Sequence, residues 1–424
     1  MHNEMLDTRS DRDRPPEATR PMSKPEQQIA MRSHPLAGTR MSGADMVVQV
    51  LADEGVDTIF GYSGGAILPT YDAVFRHNDS HRREDGSAAM PLIVPANEQG
   101  AGFMAAGYSR ASGKVGVVMV TSGPGATNTV TPVRDCMADS VPIVVICGQV
   151  PRAAIGTDAF QEAPVSAIMG AVSKHVFLVT DPDKLEATMR SAFELARTGR
   201  PGPVVIDIPK DVQNWEGEFR GEGSLPMPGY WRRLNAVRDN RLSREAARRF
   251  YDMLEGARKP LIYAGGGVIN GNATKPMRRF ANEYGIPVTT TLMALGASDT
   301  THPLALHMLG MHGLASANYA VEDCDLLIAV GARFDDRVAG NPEKFAPKAR
   351  QIVQFDVDIA EIKKVKNVDW HHVGVLATDL SDLLAYGREF GFQPDWTNWH
   401  TAIAELKDKY SLNYDRDSEL IQPY

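Results

Sequence analysis

A chain of 424 residues is long enough for two or three domains, and its composition, 43% hydrophobic and 23% charged, is that of a globular protein. A formal net charge of -8 argues against nucleic acid as the main partner, and no apolar run approaches the roughly 20 residues a membrane helix needs. Cys136, Cys147 and Cys324 stand far apart without metal-ligand spacing and read as buried thiols in a reducing compartment.

Residues 1–41 mix Arg, Asp, Glu and Pro with little apolar periodicity, which predicts a disordered tail. Its acidic residues argue against a transit peptide, so a cytoplasmic location is expected over an organellar one. Structure is expected from Ser42, where SGADMVVQVLADEG has apolar residues at helical spacing and a Gly stop. Short apolar runs recur at DTIFGY, PLIVPA, VGVVMVTS, PIVVICG, VFLV and GPVVIDIP, with helical stretches such as 182–198 between them. Continuous apolar strands separated by helices predict a doubly wound parallel sheet, and place a first α/β domain over 42–211. Residues 212–241, rich in Gly, Pro and charge, predict a surface linker. A second α/β domain is expected over 242–387, with strands PLIYAG, PVTTTL, LLIAVG and QIVQFDVD and an amphipathic helix over 274–284. Residues 388–424 are expected to hold one helix, over 396–409, and a polar end leading away from the second domain.

The stretch LIVPANEQGAGFMAAGYSRASG (92–113) puts Glu98 where a strand meets a helix whose inner face is Gly and Ala. One reading is a helix N-terminal acid favoured by the macrodipole. The other is a carboxylate kept in an apolar setting to share a proton with a ligand nitrogen. Small residues at Gly100, Gly102, Ala105 and Ala106 admit either another backbone or a flat ligand. The loops FGYSGGA (60–66) and TSGPGATN (121–128) each follow a strand and bring backbone to the edge where open parallel sheets bind ligands. Neither has the Gly-Lys-Ser/Thr ending of a phosphate-binding P-loop.

In the second domain AGGGVING (264–271) approaches a dinucleotide fingerprint, with Asn270 where the last Gly belongs. GARFDDRV (331–338) offers Arg333 or Arg337 to a diphosphate, with a surface ion-pair cluster as the alternative. The acids of FDVDIAEI (355–362) suit ribose hydroxyls. Together these strand ends suggest a nucleotide-shaped ligand. His302, His307, His312 and the His371–His372 pair lack an accompanying carboxylate spacing, so no metal site is expected there.

As a set these motifs resemble the catalytic subunits of acetohydroxyacid (acetolactate) synthases, a thiamine-diphosphate family. The carrying segments are FGYSGGAILPTYDA, EQGAGFMAAGYSRASGK, VTSGPGATNTVTPVRDCMADSVPIV, GQVPRAAIGTDAFQEAP, TGRPGPVVIDIPKDV, TTTLMALGA, HPLALHMLGMHG, ANYAVEDCDLLIAVGARFDDRV and DVDIAEI. The resemblance implies a pyrimidine-binding first domain in which Glu98 hydrogen-bonds the aminopyrimidine of thiamine diphosphate, with Gly64, Gly65, Thr121, Pro124 and Asn128 lining the pocket. Gln161 would face the reacting carbon and Phe160 would shape the acceptor site. It implies a central FAD-binding domain, with contacts from Arg200, Gly266, Gly267, Thr291, Leu292, the run 312–333 (His312, Gly313, Gly331 and Arg333 among it), Asp335, Arg337, Glu361, Ile362 and Asp379. The implied reaction is decarboxylation of pyruvate and transfer of the hydroxyethyl group to pyruvate or 2-oxobutyrate, in branched-chain amino-acid synthesis. The implied assembly is a homodimer or tetramer with a regulatory small subunit.

Three departures accompany the resemblance. The family has Pro where Ser63 stands and His where Asn97 stands, and 77–89 (HNDSHRREDGSAA) reads as an inserted surface loop. Family members also continue past a QPY-like segment into a third domain that holds the diphosphate and Mg2+ through a Gly-Asp-Gly motif. This sequence stops at IQPY, so the expectation is the N-terminal two-thirds of such a subunit, inactive alone. The rivals are one half of a split enzyme and a non-catalytic flavin- or nucleotide-binding protein.

Overall fold

The computed structural model describes residues 34–412 and 415–421, in two compact units that divide between Pro226 and Met227. The first unit opens with a short strand β1 (Arg40–Ser42), and Ser42 then caps the helix Gly43–Asp53 by accepting from the Asp45 amide at 3.1 Å. Strands β2 (Ile59–Tyr62), β3 (Leu92–Ile93), β4 (Gly116–Val120), β5 (Ile143–Gln149), β6 (His175–Leu178) and β7 (Val204–Pro209) follow. They form one sheet in the order β3-β2-β4-β5-β7-β6, with every pair parallel. The Val/Ile runs of β4, β5 and β7 are buried along their whole length, as a sheet covered on both faces requires. A last strand, β8 (Glu216–Glu218), pairs antiparallel with β1.

The helix Glu98–Ser112 shows what its small residues are for. Ala101, Gly102, Ala105 and Ala106 face inward. A Cβ on Gly102 would lie 2.3 Å from Pro132 Cγ, and one on Gly116 of β4 would lie 2.3 Å from the Ala105 carbonyl oxygen. These small residues let the Pro132 ring and the β4 backbone come close to the helix.

The second unit has strands β9 (Pro260–Ala264), β10 (Val288–Thr290), β11 (Ala305–Met308), β12 (Leu326–Val330), β13 (Gln351–Asp356) and β14 (Trp370–Val373). Their order is β11-β10-β9-β12-β13-β14, again all parallel. The helix Thr274–Tyr284 falls where its periodicity predicts, burying Met277, Phe280, Ala281 and Tyr284 and ending at Gly285 with φ +63°. The helix Arg244–Gly256 buries Ala247, Phe250, Tyr251 and Leu254 against the same core.

Several boundaries differ from the sequence expectation. Of the predicted tail, residues 1–33 lie outside the described residues, whereas 34–41 form a turn and β1. His34 sits edge-on to Phe219 at 5.1 Å and the Gly38 amide donates to the Phe219 carbonyl. Partners some 180 residues away along the chain supply that order, so no local pattern announces it. The predicted linker 212–241 holds β8 and a helix, Pro228–Asp239, and the first unit runs on to Pro226. Residues 77–80, assigned to an inserted loop, are the last turn of the helix Leu68–Ser80, and Arg82 bridges Ala88 beyond it. The short strands β1, β8, β11 and β14 were not foreseen. β11 and β14 carry polar residues such as His307 and His371, which break an apolar run.

The C-terminal helix Thr397–Lys409 is part of the second unit's core. Trp399 is 1% exposed and its Nε1 donates to the Pro260 carbonyl at 2.9 Å. Trp399→Ala removes a large buried side chain and its hydrogen bond. It should lower the stability of the second unit by about 3–5 kcal/mol, read from the midpoint of denaturant unfolding.

Candidate active site

In a parallel sheet every strand's carboxyl end lies at one edge, and ligands bind where the strand order reverses. In the first unit that reversal falls between β2 and β4. The loops after β3, β2, β4 and β5, four neighbouring strands, carry Glu98, then Gly64 and Gly65, then Thr121, Pro124 and Asn128, then Phe160 and Gln161. The Ala66 amide donates to Thr121 Oγ1 at 3.2 Å, and a Cβ on Gly64 would fall 2.5 Å from Thr121 Cβ. Only glycine lets these two loops meet.

Glu98 is the first residue of its helix and is 8% exposed. Asn128 Nδ2 donates to Oε2 at 2.9 Å, while Oε1 lies on the side of Gly125, where a Cβ would stand 3.7 Å away. The helix dipole favours such an acid by about 0.3–1 kcal/mol. Desolvating a carboxylate costs several kcal/mol. The dipole alone therefore does not account for the burial; the Asn128 hydrogen bond offsets part of the cost, and the side-chain-free Gly125 leaves room beside Oε1. Beneath the site Tyr71 is 5% exposed and donates to the Met119 carbonyl at 3.1 Å. Burial, then the nearby Glu98 charge, pushes its hydroxyl well above the usual range. Asn97, where the resembling family has His, accepts from the Gly100 amide at 2.8 Å and caps the Glu98 helix. Ser63 is exposed in the β2 loop.

The loop after β5 closes the group. A Cβ on Gly123 (φ +52°) would lie 2.4 Å from the Gln161 carbonyl oxygen, so the Gln161 main chain rests on the Gly123–Gly125 turn beside Glu98. Phe160 is 88% exposed at the crest. Arg200 is not brought to this edge. It precedes β7, at the opposite end of the strands, with Nε donating to Ser140 Oγ at 2.9 Å.

In the second unit the reversal lies between β9 and β12. There a Cβ on Gly267 would come within 2.8 Å of Gly331 Cα, and Gly331 has φ +58°. Two loop backbones thus lie in contact with no side chain between them. Each remaining candidate follows its strand to this edge. Gly266 and Gly267 follow β9, Thr291 and Leu292 follow β10, and His312 and Gly313 follow β11. Arg333, Asp335 and Arg337 follow β12, Glu361 and Ile362 follow β13, and Asp379 follows β14. Arg333 donates to Asp335 Oδ2 at 2.7 Å, which realises the ion pair, while exposed Arg337 lies over Met311 with Nη1 3.7 Å from Sδ. The acids of 355–362 largely serve their own turns: Asp356 accepts from the Asp358 amide, and Asp358 from that of Ala360. Glu361, 5% exposed, accepts from Lys364 Nζ at 2.9 Å.

Buried polar groups stand at this second edge. Thr291 Oγ1 is buried without a hydrogen-bond partner among the described residues. The Asp379 carboxylate, 1% exposed, faces the His372 ring. His372 Nε2 stands 3.3 Å from its Oδ1 but bonds the Asn240 carbonyl oxygen at 3.1 Å, and burial pushes the Asp379 carboxyl up. A buried hydroxyl without a partner beside a glycine cradle fits a ligand rich in hydroxyls.

Sequence reasoning passed over a buried pair behind the first site. Asp207, in the middle of β7, accepts through Oδ2 from Gln149 Nε2 at 2.9 Å. The same Nε2 reaches the Ala163 carbonyl at 3.2 Å, tying the Gln161 loop to the sheet. An Asp inside the apolar run VVIDIP was the visible signal.

These strand-edge sites, one with a buried carboxylate and one with a glycine cradle, define a two-domain α/β protein of the class that takes extended cofactors at its sheet edges. Residues 41–168 match the model of the thiamine pyrophosphate enzyme N-terminal TPP binding domain, and residues 247–383 match that of the thiamine pyrophosphate enzyme central domain. The chain is 43% identical over 397 residues to an acetolactate synthase large subunit of Corynebacterium glutamicum, covering 93% of this chain and 61% of that protein. It is 43% identical over 381 residues to the acetolactate synthase isozyme 2 large subunit of Escherichia coli, covering 90% and 64% respectively. A chloroplastic acetolactate synthase of Nicotiana tabacum is 41% identical over 392 residues, covering 90% and 55%. The chain belongs to the thiamine pyrophosphate enzyme family, and its homologues there are acetolactate synthase large subunits. It spans about 60% of the length of the curated relatives it matches.

Burial pushes the Asp207 carboxyl up to about 7, against the lowering effect of the Gln149 hydrogen bond. A carboxyl raised in the folded state keeps a proton that the unfolded chain releases near pH 3.8. Its contribution to stability is therefore complete below that pH and is lost as pH rises to about 7. Asp207→Asn removes the loss. Relative to the parent, the variant should gain up to about 4 kcal/mol between about pH 4 and pH 8, in denaturant titrations at each pH. Parallel stability curves for the two proteins would refute this.

Proposed function

We propose that this chain carries the pyrimidine-binding and flavin-binding parts of an acetolactate synthase. That enzyme decarboxylates pyruvate and transfers the two-carbon unit to pyruvate or 2-oxobutyrate, in branched-chain amino-acid synthesis. The observation that carries the reading is Glu98: a carboxylate removed from water at a sheet switch point, held by Asn128 on one oxygen and facing the Gly125 turn with the other. Bound thiamine diphosphate supplies the electron sink for the decarboxylation.

The chain's own residues prepare that chemistry. Asn128 fixes the Glu98 carboxylate, so its second oxygen is the one presented to a ring nitrogen. Water exclusion by the neighbouring loops strengthens that hydrogen bond, and proton transfer through a positioned carboxylate contributes about 10²–10⁴-fold in rate. Gly64, Gly65 and Pro124 keep the cleft free of bulky side chains, Thr121 ties the two loops together, and Gln161, whose main chain rests on Gly123, and the exposed Phe160 before it are assigned to the 2-oxo acids. In the central unit the glycine cradle at Gly266, Gly267 and Gly331, with Arg333, Asp335 and Arg337 beside it, is assigned to FAD. Thr291, Leu292, His312, Gly313, Glu361, Ile362 and Asp379 belong to the same assignment. The reading includes Mg2+ with the diphosphate, to which no residue of this chain is assigned, and a homodimer or tetramer served by a regulatory small subunit.

Glu98→Gln keeps the size of the side chain and removes its charge. With thiamine diphosphate, Mg2+ and FAD supplied to the assembled enzyme, acetolactate formation from pyruvate should fall by roughly 10²-fold or more, with the unfolding midpoint not lowered. Undiminished turnover would show that the Glu98 charge takes no part in catalysis. FAD should remain with the parent protein through gel filtration, and Arg337→Ala should weaken its retention roughly tenfold by flavin absorbance.

A further inference from the structure

The segment between β5 and the helix Val165–Gly170 makes an unfavourable turn, and one side chain holds it. Within six residues the backbone enters the left-handed region three times, at Gly156 (φ +83°), Asp158 (φ +56°) and Gln161 (φ +59°). Gly156 adopts that conformation freely, whereas Asp158 and Gln161 do not. Their strain must be offset by contacts that exist only in this conformation. The Glu162 carboxylate provides them. Its Oε1 accepts from the Gly156 amide and its Oε2 from the Ala159 amide at 3.2 Å. The Gly156 amide, with smaller effects of the neighbouring amides, holds the Glu162 carboxyl below its usual range. The Glu162 amide in turn donates to the Ala159 carbonyl at 2.8 Å.

The ends of the segment are fixed independently. Arg152 donates from Nε to Asp211 Oδ2 at 2.7 Å and from Nη1 to the Thr180 carbonyl, and Gln149 reaches the Ala163 carbonyl. Between those anchors the crest carries Phe160 and Gln161, with the Gln161 main chain on Gly123. The direction of both side chains therefore depends on the turns that Glu162 closes.

We propose that Glu162 is a positioning residue whose carboxylate, by binding the Gly156 and Ala159 amides together, holds the left-handed turns that set Phe160 and Gln161 over the Gly123–Gly125 turn. The roles of Phe160 and Gln161 rest on the proposed acetolactate synthase function, which the clasp deepens, but the clasp itself is a property of the loop. A carboxylate accepts two such amides with separate oxygens, whereas the single carbonyl of a glutamine satisfies one.

Amide hydrogen exchange, resolved to single residues in the full chain, tests the clasp directly. Glu162→Ala should exchange at Gly156 and Ala159 at least tenfold faster than the parent, with β4 and β5 amides and the unfolding midpoint unmoved. Glu162→Gln should restore protection at one of the two amides and not the other. In the thiamine-diphosphate-loaded enzyme both variants should lower kcat at least tenfold while the cofactor Kd stays the same. Unchanged exchange at both amides in Glu162→Ala, or an unchanged kcat despite lost protection, overturns the proposal. Lost protection together with full activity in Glu98→Gln leaves the clasp in place and removes the catalytic reading instead.

Discussion

When every strand of a sheet runs the same way, every loop that follows a strand leaves at one edge, and in both units the glycine-rich loops converge at the point of that edge where strand order reverses. The rest of the structure depends on this alignment. It places Glu98, Thr121, Asn128 and Gln161 together although they are spread over some 60 residues of sequence. It also requires the loops to touch through backbone. Gly64 meets Thr121, Gly123 meets Gln161 and Gly267 meets Gly331 at distances no Cβ tolerates. The glycines are thus the condition for the site, and the polar residues are what the site uses.

Among the buried carboxylates, Asp207, Asp379 and Glu98 have surroundings that differ in a way that separates their roles. Asp207 sits inside a strand, with one oxygen on Gln149 and none of the cleft within reach of its second. Burial there favours the proton-bearing form, and its work is to tether a loop. Asp379 is as deeply buried but lies after a strand end, beside His372. Of the three, Glu98 is the one that combines burial with a fixed oxygen and an open approach over glycine. Geometry, more than depth, separates the surroundings of the three acids.

Much of this was legible beforehand. The Val/Ile runs marked β4, β5, β7, β9 and β12 because a strand covered on both faces has no solvent side to alternate with. Met277, Phe280, Ala281 and Tyr284 marked their helix by spacing alone. The elements that escaped were those stabilised from far away. β1 is a strand only because β8 lies beside it, and Trp399 joins the second core only because Pro260 offers a carbonyl. Gln149 and Glu162 were in plain view in PIVVICGQ and DAFQE, yet their partners are amides, a carbonyl and a buried acid that no spacing rule connects.

By itself the sequence determined the two-sheet architecture and the residue types at each strand end, because burial and backbone sterics act on neighbouring residues. It also carried the family, since the motifs stand as continuous segments. Tertiary structure alone decided which strand ends become neighbours, and that Arg200 stands at the opposite end of its sheet from Glu98. It decided too that Oε2 of Glu98 is taken by Asn128 and that the Gln161 turn is held by Glu162. Those are outcomes of strand order and hydrogen-bond direction, which depend on groups distant in the chain and have no local signature.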